Sequence, residues 1–400
     1  MARVRERVTK ARFKIESTSG VDAAPTGADF LRIITGSNFA YNPTIIANTE
    51  FRGGPGEGEH VVAGLLPTVS LKTNIRGSGT PNVPPETDAL LQACGFVETI
   101  EAALPVAGGT TATTGTSRSV TVVRGTDWPA AGGFASGLIG EQVVLGGNPA
   151  IAEVDVITDY VVAGANATIT VAGTHSPAFD NATTIQRLVQ VVFRSQSPTP
   201  QPSGTSYLDL DGVLQKLLGC RGTWSEDWAG RGIGTMQFDL SGAWGGRTAS
   251  AMLTGETDDP SSPQPWMNGI CRIDGLTICA DAMRAALNAT GDYPTCPEAL
   301  YGVDGYEVTG RGSRLTVDPD LDNGLVGTAD RVSALLNGTI MPAAFILGSR
   351  LGSATGKRHS LCLPQGKLRG VTPTVVGGRR KEQIEFGSKD VDNEWVLSFS

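Results

Sequence analysis

The chain is poor in the residues from which active sites are usually assembled. Among 400 residues there are three histidines, His60, His175 and His359. None has a second histidine or a cysteine at metal-ligand spacing, and His359 with Cys362 alone does not make a zinc site. Each histidine therefore reads as a surface or turn residue. No G-x-S-x-G elbow and no H-E-x-x-H pair occurs. The approach to a P-loop at Gly356-Lys357 fails, because Leu351 stands where glycine is required and Arg358 where serine or threonine is required. The six cysteines (94, 220, 271, 279, 296 and 362) include no C-x-x-C, and most sit in apolar settings as small buried hydrophobes. A disulfide among Cys271, Cys279 and Cys296 is disfavoured in a protein assembled in the cytosol. No run approaches the ~18 apolar residues of a membrane span. The opening Met1-Ala-Arg-Val-Arg-Glu-Arg7 has no apolar segment behind it. These absences lead to the expectation of a soluble, cytoplasmically made protein that is not an enzyme and carries no cofactor.

Charge is also scarce. Only 18% of residues are charged and the net charge is −8, which excludes a generic nucleic-acid binder with its basic excess. A mildly acidic balance suits a wall past which DNA slides without counterion-release binding, and it equally suits an ordinary soluble protein.

What the chain has in quantity is glycine (52) and proline (23), set between short β-branched runs. With 40% hydrophobic residues that composition predicts a mainly β fold with ample core. Arg12-Phe13-Lys14-Ile15 alternates like a strand, and Leu31–Ile34 reads as another. In Thr68–Ile75, Val69, Leu71, Thr73 and Ile75 face one side while Ser70, Lys72 and Asn74 face the other. Thr87 or Asp88 caps a short helix through Ala93, which Gly95 ends.

Gly108–Thr116 reads as a Gly/Thr linker and Ser195–Gly204 as a Pro-rich one. Between them lie β runs at Ser119–Val123, Glu141–Leu145, Ile151–Val162, Ala167–Val171 and Thr184–Phe193. The expected organisation is a basic arm (1–16), a first lobe (17–110), an inserted β-rich domain or completion of that lobe (111–195), and a second lobe (196–400). Phe51–Gly79 and Cys220–Gly242 share an order of strand, glycine loop and alternating strand. Ala280–Asn288 and Ala329–Asn337 read as helices answering Thr87–Ala93, so a duplicated lobe is expected.

Individual candidates are few. Arg3, Arg5 and Arg7 lie in the basic arm, which reads as reaching a neighbouring acidic surface or as a frayed terminus. Phe51–His60 is a glycine-rich loop whose Glu57 and Glu59 would repel phosphate; it reads as a docking loop or a plain exposed one. Asp318, Asp320 and Asp322 form the best oxygen-ligand cluster. An EF-hand needs glycine and glutamate where Asn323 and Ala329 stand, so a capped turn is the default. Asp209 and Asp211 alternate with Leu208 and Leu210 and read as one polar strand face.

Taken in order, several segments resemble the tail tube proteins of long-tailed bacteriophages. They are Ser17–Asp29, Thr68–Thr99, Tyr207–Trp224 with its Gly-Cys-Arg-Gly-Thr corner, and Gly234–Trp244. Gly305–Arg311 with Val317-Asp-Pro319 and the closing Asp392–Phe399 complete the set. The resemblance spans most of 12–100 and 190–400 and leaves 110–190 outside. It implies β-sandwich or partial-barrel lobes with short flanking helices, which form hexameric or trimeric pseudo-six-fold rings. These would stack into a virion conduit for double-stranded DNA, assembled with a tape-measure protein and without a membrane. Under that reading Ser70, Lys72, Asn74, Gln237, Asp239 and Ser241 face the lumen. The alternatives are another tail ring, terminator or connector, or a carbohydrate-binding surface β-protein in which Trp128 and Tyr160 stack on sugar.

Overall fold

The computed structural model describes residues 9–47, 60–101, 109–125, 128–147, 153–197, 200–250, 253–256, 261–267, 269–296, 298, 305–319, 331–348, 356–376, 379–390 and 392–400. The fold is mainly β, in three layers. An eleven-stranded sheet packs on a seven-stranded sheet, and a closed six-stranded barrel sits on the far side of the latter.

Burial patterns record this layering. Strands of the large sheet alternate, as in Thr68–Asn74 and in Thr223–Trp228, because one face meets the core and the other does not. Strands of the middle sheet do not alternate: Ala343–Leu347, His359–Leu363, Gln190–Ser195 and Val396–Phe399 are buried along their whole length. Their two faces touch different layers. Phe193, Phe345, Leu361 and Leu397 enter the core shared with the large sheet. Val192, Ala344, Ile346, Cys362 and Val396 meet Val154, Val156, Ala172 and Leu188 of the barrel. The main core runs without a break from Ala11 to Phe399 and includes the edge-to-face pairs Phe96–Trp224 and Trp224–Trp395.

The large sheet is organised by one long hairpin, Val213–Ala229 with Thr235–Ala249. The start of its first strand pairs with Gly204–Leu210, which pairs with Thr9–Ile15; its end pairs with Ala280–Ala286. The expected Gly-Cys-Arg-Gly-Thr corner is not a corner. The strand runs through it with a bulge between Leu218 and Arg221, where Gly219 takes φ +63°, a value other residues rarely adopt.

Several expectations are corrected. Thr110–Gly115 is a barrel strand, not a linker, with Ala112 turned into the barrel core. Thr184–Phe193 breaks in two: Thr184–Arg187 closes the barrel, and Gln190–Ser195 inserts between Val396–Phe399 and Phe96–Glu101 in the middle sheet. Leu31–Ile34 shrinks to Phe30–Leu31 plus an isolated bridge from Ile33 to Thr73. Ala280–Ala286 is a strand, not a helix. The helix Asp88–Ala93 is present and ends at Gly95 with φ +87°, although the Thr87 side chain makes no cap bond. Arg331–Asn337 is the second helix among the described residues. No described helix is long and apolar enough to cross a membrane.

Candidate functional site

The open face of the large sheet gathers the polar residues that the alternation singled out. Antiparallel pairing sets Gln237 opposite Lys72, Asp239 opposite Ser70 and Thr235 opposite Asn74; Ser241 pairs with Thr68. On the other side of that strand, Asp239 faces Thr223, Gln237 faces Ser225 and Thr235 faces Asp227. The row continues through Arg284 to Thr316 and on to Glu385. Beneath it Leu71, Trp224, Met236, Phe238 and Leu240 are buried, so burial of this alternate set fixes the outward direction of the polar set. All six predicted residues lie together here, half-buried except for the exposed Asp239.

The face is wired to itself. Ser70 Oγ donates to Asp239 Oδ1 at 2.6 Å, and Gln237 Nε2 donates to the two Asp239 oxygens at 3.0 and 3.1 Å. Arg314 pairs with Glu385 at 2.8 Å, Arg284 lies 3.4 Å from Asp227, and Gln383 donates to Asp318 at 2.9 Å. Cations and carboxylates therefore neutralise one another within the sheet. Trp224, Trp228, Phe238 and Phe386 of these strands point into the main core, while Trp244 is half-buried against Phe39 and Tyr41. Among the described residues of this face, Arg284 and Arg314 lie beside carboxylates, Lys72 stands opposite Gln237, and the remaining groups are mainly hydroxyls and amides. Asp318 acts here as an acceptor on this face. Asp320 and Asp322, like Arg3, Arg5, Arg7, Glu57 and Glu59, lie outside the described residues. Among those described, no group of three or more His, Cys, Asp or Glu is placed to hold a metal.

A second feature projects from one end of this face. Pro43–Ala47 and His60–Leu65 form a hairpin that, among the described residues, pairs only with itself. Ile45 sits opposite Val62 and Ile46 opposite Val61, so each face carries an aliphatic pair. All four are more than half exposed, at 55–58%. A lone two-stranded ribbon is marginal in water, and one that is apolar on both faces has a standing reason to be covered. Sequence reasoning saw the intervening glycine loop but not these flanking strands. The available signal was the doublets Ile45-Ile46 and Val61-Val62, since adjacent strand residues point to opposite faces.

Other candidates move. His175 and His359 are buried, not at the surface, and only His60 is exposed. His175 lies where barrel meets body. Its Nε2 is 3.0 Å from Asp155 and its Nδ1 is 3.1 Å from Glu153, while Arg272 of the middle sheet pairs with both carboxylates. A carboxylate at each ring nitrogen favours the protonated ring, in which both nitrogens donate. Burial works against that charge, but the hydrogen bonds to Asp155 and Glu153 outweigh it and raise the pKa of His175. Burial likewise opposes the Glu153 carboxylate, yet His175 and Arg272 bring it down to about 2. His359 packs in the main core, 3.1 Å from Glu226, whose other oxygen accepts from the Trp228 indole at 2.9 Å.

Asp209 is fully buried and accepts from the Gly212 and Leu253 amides at 2.8 Å, while Asp211 sits in the turn at φ +53°. The expected shared polar face does not exist. Trp128 and Tyr160 lie in the barrel core, 2% and 0% exposed, with rings stacked 6.4 Å apart. They cannot receive a sugar. All six cysteines are free thiols. No family model matches the chain, and no curated protein matches it.

Proposed function

We propose that this chain is a structural protein that assembles into stacked rings, the tube of a long-tailed bacteriophage through which double-stranded DNA passes. The observation that carries the reading is the open sheet face: a broad, polar, charge-compensated surface with an apolar underside. A lumen wall needs that chemistry. It must stay wet, and it must not hold phosphates, because each cation–phosphate contact adds a salt-dependent increment of binding. Lys72 is the cation within the predicted lumen set, placed opposite Gln237 and next to the Ser70–Asp239 pair in the register.

The apolar hairpin supports self-assembly from a second direction, because its two faces need a partner that the monomer does not supply. Support for a duplicated lobe comes from a repeated order of elements. Thr68–Asn74 of the large sheet leads to the helix Asp88–Ala93 and then to Phe96–Glu101 of the middle sheet. Arg314–Pro319, the helix Arg331–Asn337 and Ala343–Leu347 repeat that order. Under this reading three chains close a pseudo-six-fold ring, and the barrel, attached to the opposite side of the middle sheet, decorates the exterior. Further partners are a tape-measure protein and neighbouring tail proteins, and the site of action is the virion tail.

The test is negative-stain electron microscopy of the purified full chain, with mass determination on the same sample. Stacked rings or tubes with a central hole support the reading. Closed single rings that never stack move it to a terminator or connector. Monomers at every concentration, in the presence of tail-tip components as initiator, contradict it.

A further inference from the structure

The strand Thr9–Ile15 is apolar on one side and basic on the other. Ala11 and Phe13 turn into the main core, so Lys10, Arg12 and Lys14 turn the opposite way, about 7 Å apart at strand rise. A row of that kind is the electrostatic footprint of a nucleic-acid contact. Left open, it would break the neutrality of the sheet's polar side. It is not open. Arg12 is only 7% exposed, and Asp209, opposite Lys10 on the neighbouring strand, is fully buried. Neither faces the core, so they are covered from outside the sheet. The cover is the segment Leu253–Glu256, which follows the long hairpin in the chain. Lys10 Nζ donates to the Leu253 carbonyl at 2.8 Å and pairs with Glu256. Arg12 Nη2 donates to the Thr254 carbonyl, and the Leu253 amide donates to Asp209 at 2.8 Å. Gly255, at φ +82°, sets its carbonyl so close to Gly27 that a Cβ there would overlap it.

We infer that Leu253–Glu256 is an autoinhibitory strap, masking on the strand Thr9–Ile15 a site for the phosphate backbone of duplex DNA. Three features mark it as a mask. Charge and backbone hydrogen bonds hold it, while Thr254 and Gly255 are exposed and Leu253 is half-buried, so burial of apolar surface contributes little. What it presents to Lys10 and Arg12 is also what a phosphate backbone would present: oxygen acceptors and negative charge. The third feature is the Arg12 Nε, which has no hydrogen-bond partner among the described residues. The covered guanidinium thus keeps a donor that the strap leaves unused. Elsewhere on this sheet Arg284 and Arg314 are answered by carboxylates of neighbouring strands. At Lys10 and Arg12 the answering groups belong to a separate segment, which can lift without unpairing a strand. In sequence the basic row continues through Arg3, Arg5 and Arg7. The device lies within one chain and does not depend on ring formation.

The test uses the full chain and a fluorescently labelled duplex of random sequence, followed by anisotropy across a salt series. Gly27→Ala removes the strap's seat without touching a charged group, and Glu256→Gln removes its carboxylate. The double variant should keep the wild-type thermal melt, while amide exchange at Leu253–Glu256 quickens roughly tenfold or more. It should bind the duplex with a log–log salt slope of about 2.7, three phosphates at about 0.9 each. Adding Lys10→Gln and Arg12→Gln should reduce that slope to about 0.9 and weaken low-salt binding roughly tenfold or more. Wild type under the same conditions should show no binding. Binding by wild type would mean that the row is already open. Unchanged exchange in the double variant would mean that these contacts do not hold the strap. A freed strand that stays inert, or binding that survives Lys10→Gln with Arg12→Gln, would likewise overturn the mask. Tube formation is read separately by microscopy: tubes with an inert freed strand would reject the mask alone, and DNA binding without tubes would reject the tube alone.

Discussion

Two neighbouring pieces of the chain, the strand pair Pro43–Ala47 with His60–Leu65 and the strand Thr68–Asn74, are both β and both partly in water, yet they stand in opposite energetic situations. In the second, every other residue is buried and the rest are polar, so the strand is complete within one molecule. In the first, both faces are aliphatic and both are exposed, so the strand pair is complete only against something else. A finished polar face tolerates change at its surface and fails when its underside is altered. An unfinished apolar arm should behave the other way round, indifferent in the monomer and decisive in the assembly.

The largest effect should come from beneath the finished face. Trp224→Ala removes a fully buried ring that touches Phe96 and Trp395, and should cost about 3–5 kcal/mol of stability in denaturant unfolding. A loss under 1 kcal/mol would mean that the face is not held by its underside.

The next effect concerns the His175 cluster that joins barrel to body, and it is pH-dependent. A raised folded pKa means that the imidazolium stabilises the fold fully below its unfolded value near 6.5 and ceases to do so as pH rises through the folded value. Glu153, held down at about 2, stabilises above its unfolded range near 4.3 and loses that contribution as pH falls toward 2. Amide exchange at Glu153–Val171 should therefore be slowest between these limits and quicken on the alkaline side. His175→Gln should flatten the alkaline limb; an unchanged limb would assign it to another group.

A smaller effect tests the neutrality of the open face. The wild-type chain should retain no duplex DNA at physiological salt. A triple Asp227→Lys, Asp239→Lys and Asp318→Lys variant should bind it with an affinity that falls steeply as salt rises, by a log–log slope of about 0.9 per phosphate engaged. Binding by the wild type would contradict a non-adhesive wall. The smallest stability effect belongs to the arm. Val61→Asp should leave unfolding within about 0.5 kcal/mol of wild type, as exposed substitutions usually do. The same change should prevent assembly as read by sedimentation.

Much of the architecture was legible in the sequence where one rule governed. The period-2 alternation from Val69 to Ile75 and from Met236 to Leu240 located the open face, because burial on one side leaves a clean pattern. The helix at Asp88–Ala93 was legible through its glycine stop. The strand Ala280–Ala286 was not, since Ala-Asp-Ala-Met-Arg-Ala-Ala has strong helical preference. Pairing with strands on both sides overrides that preference, with Met283 and Ala285 turned inward. Thr110–Gly115 was hidden by its low-complexity composition. The middle sheet defeats alternation, because both of its faces are covered. The same cause hid the histidines: His175 and His359 are placed by layers contributed from distant parts of the chain, which no local spacing reveals. Trp128 and Tyr160 resembled a binding pair and proved to be the barrel's core, because aromatic side chains fill interiors more often than they line sites.

The most direct measurement is a cryo-electron microscopy reconstruction of the assembled chain, read for which surface faces the central hole. The account predicts a continuous inner cylinder lined by Ser70, Lys72, Asn74, Gln237, Asp239 and Ser241, with the barrel outside. An assembly in which that face points outward or is buried between subunits, or one with no axial hole, would contradict it.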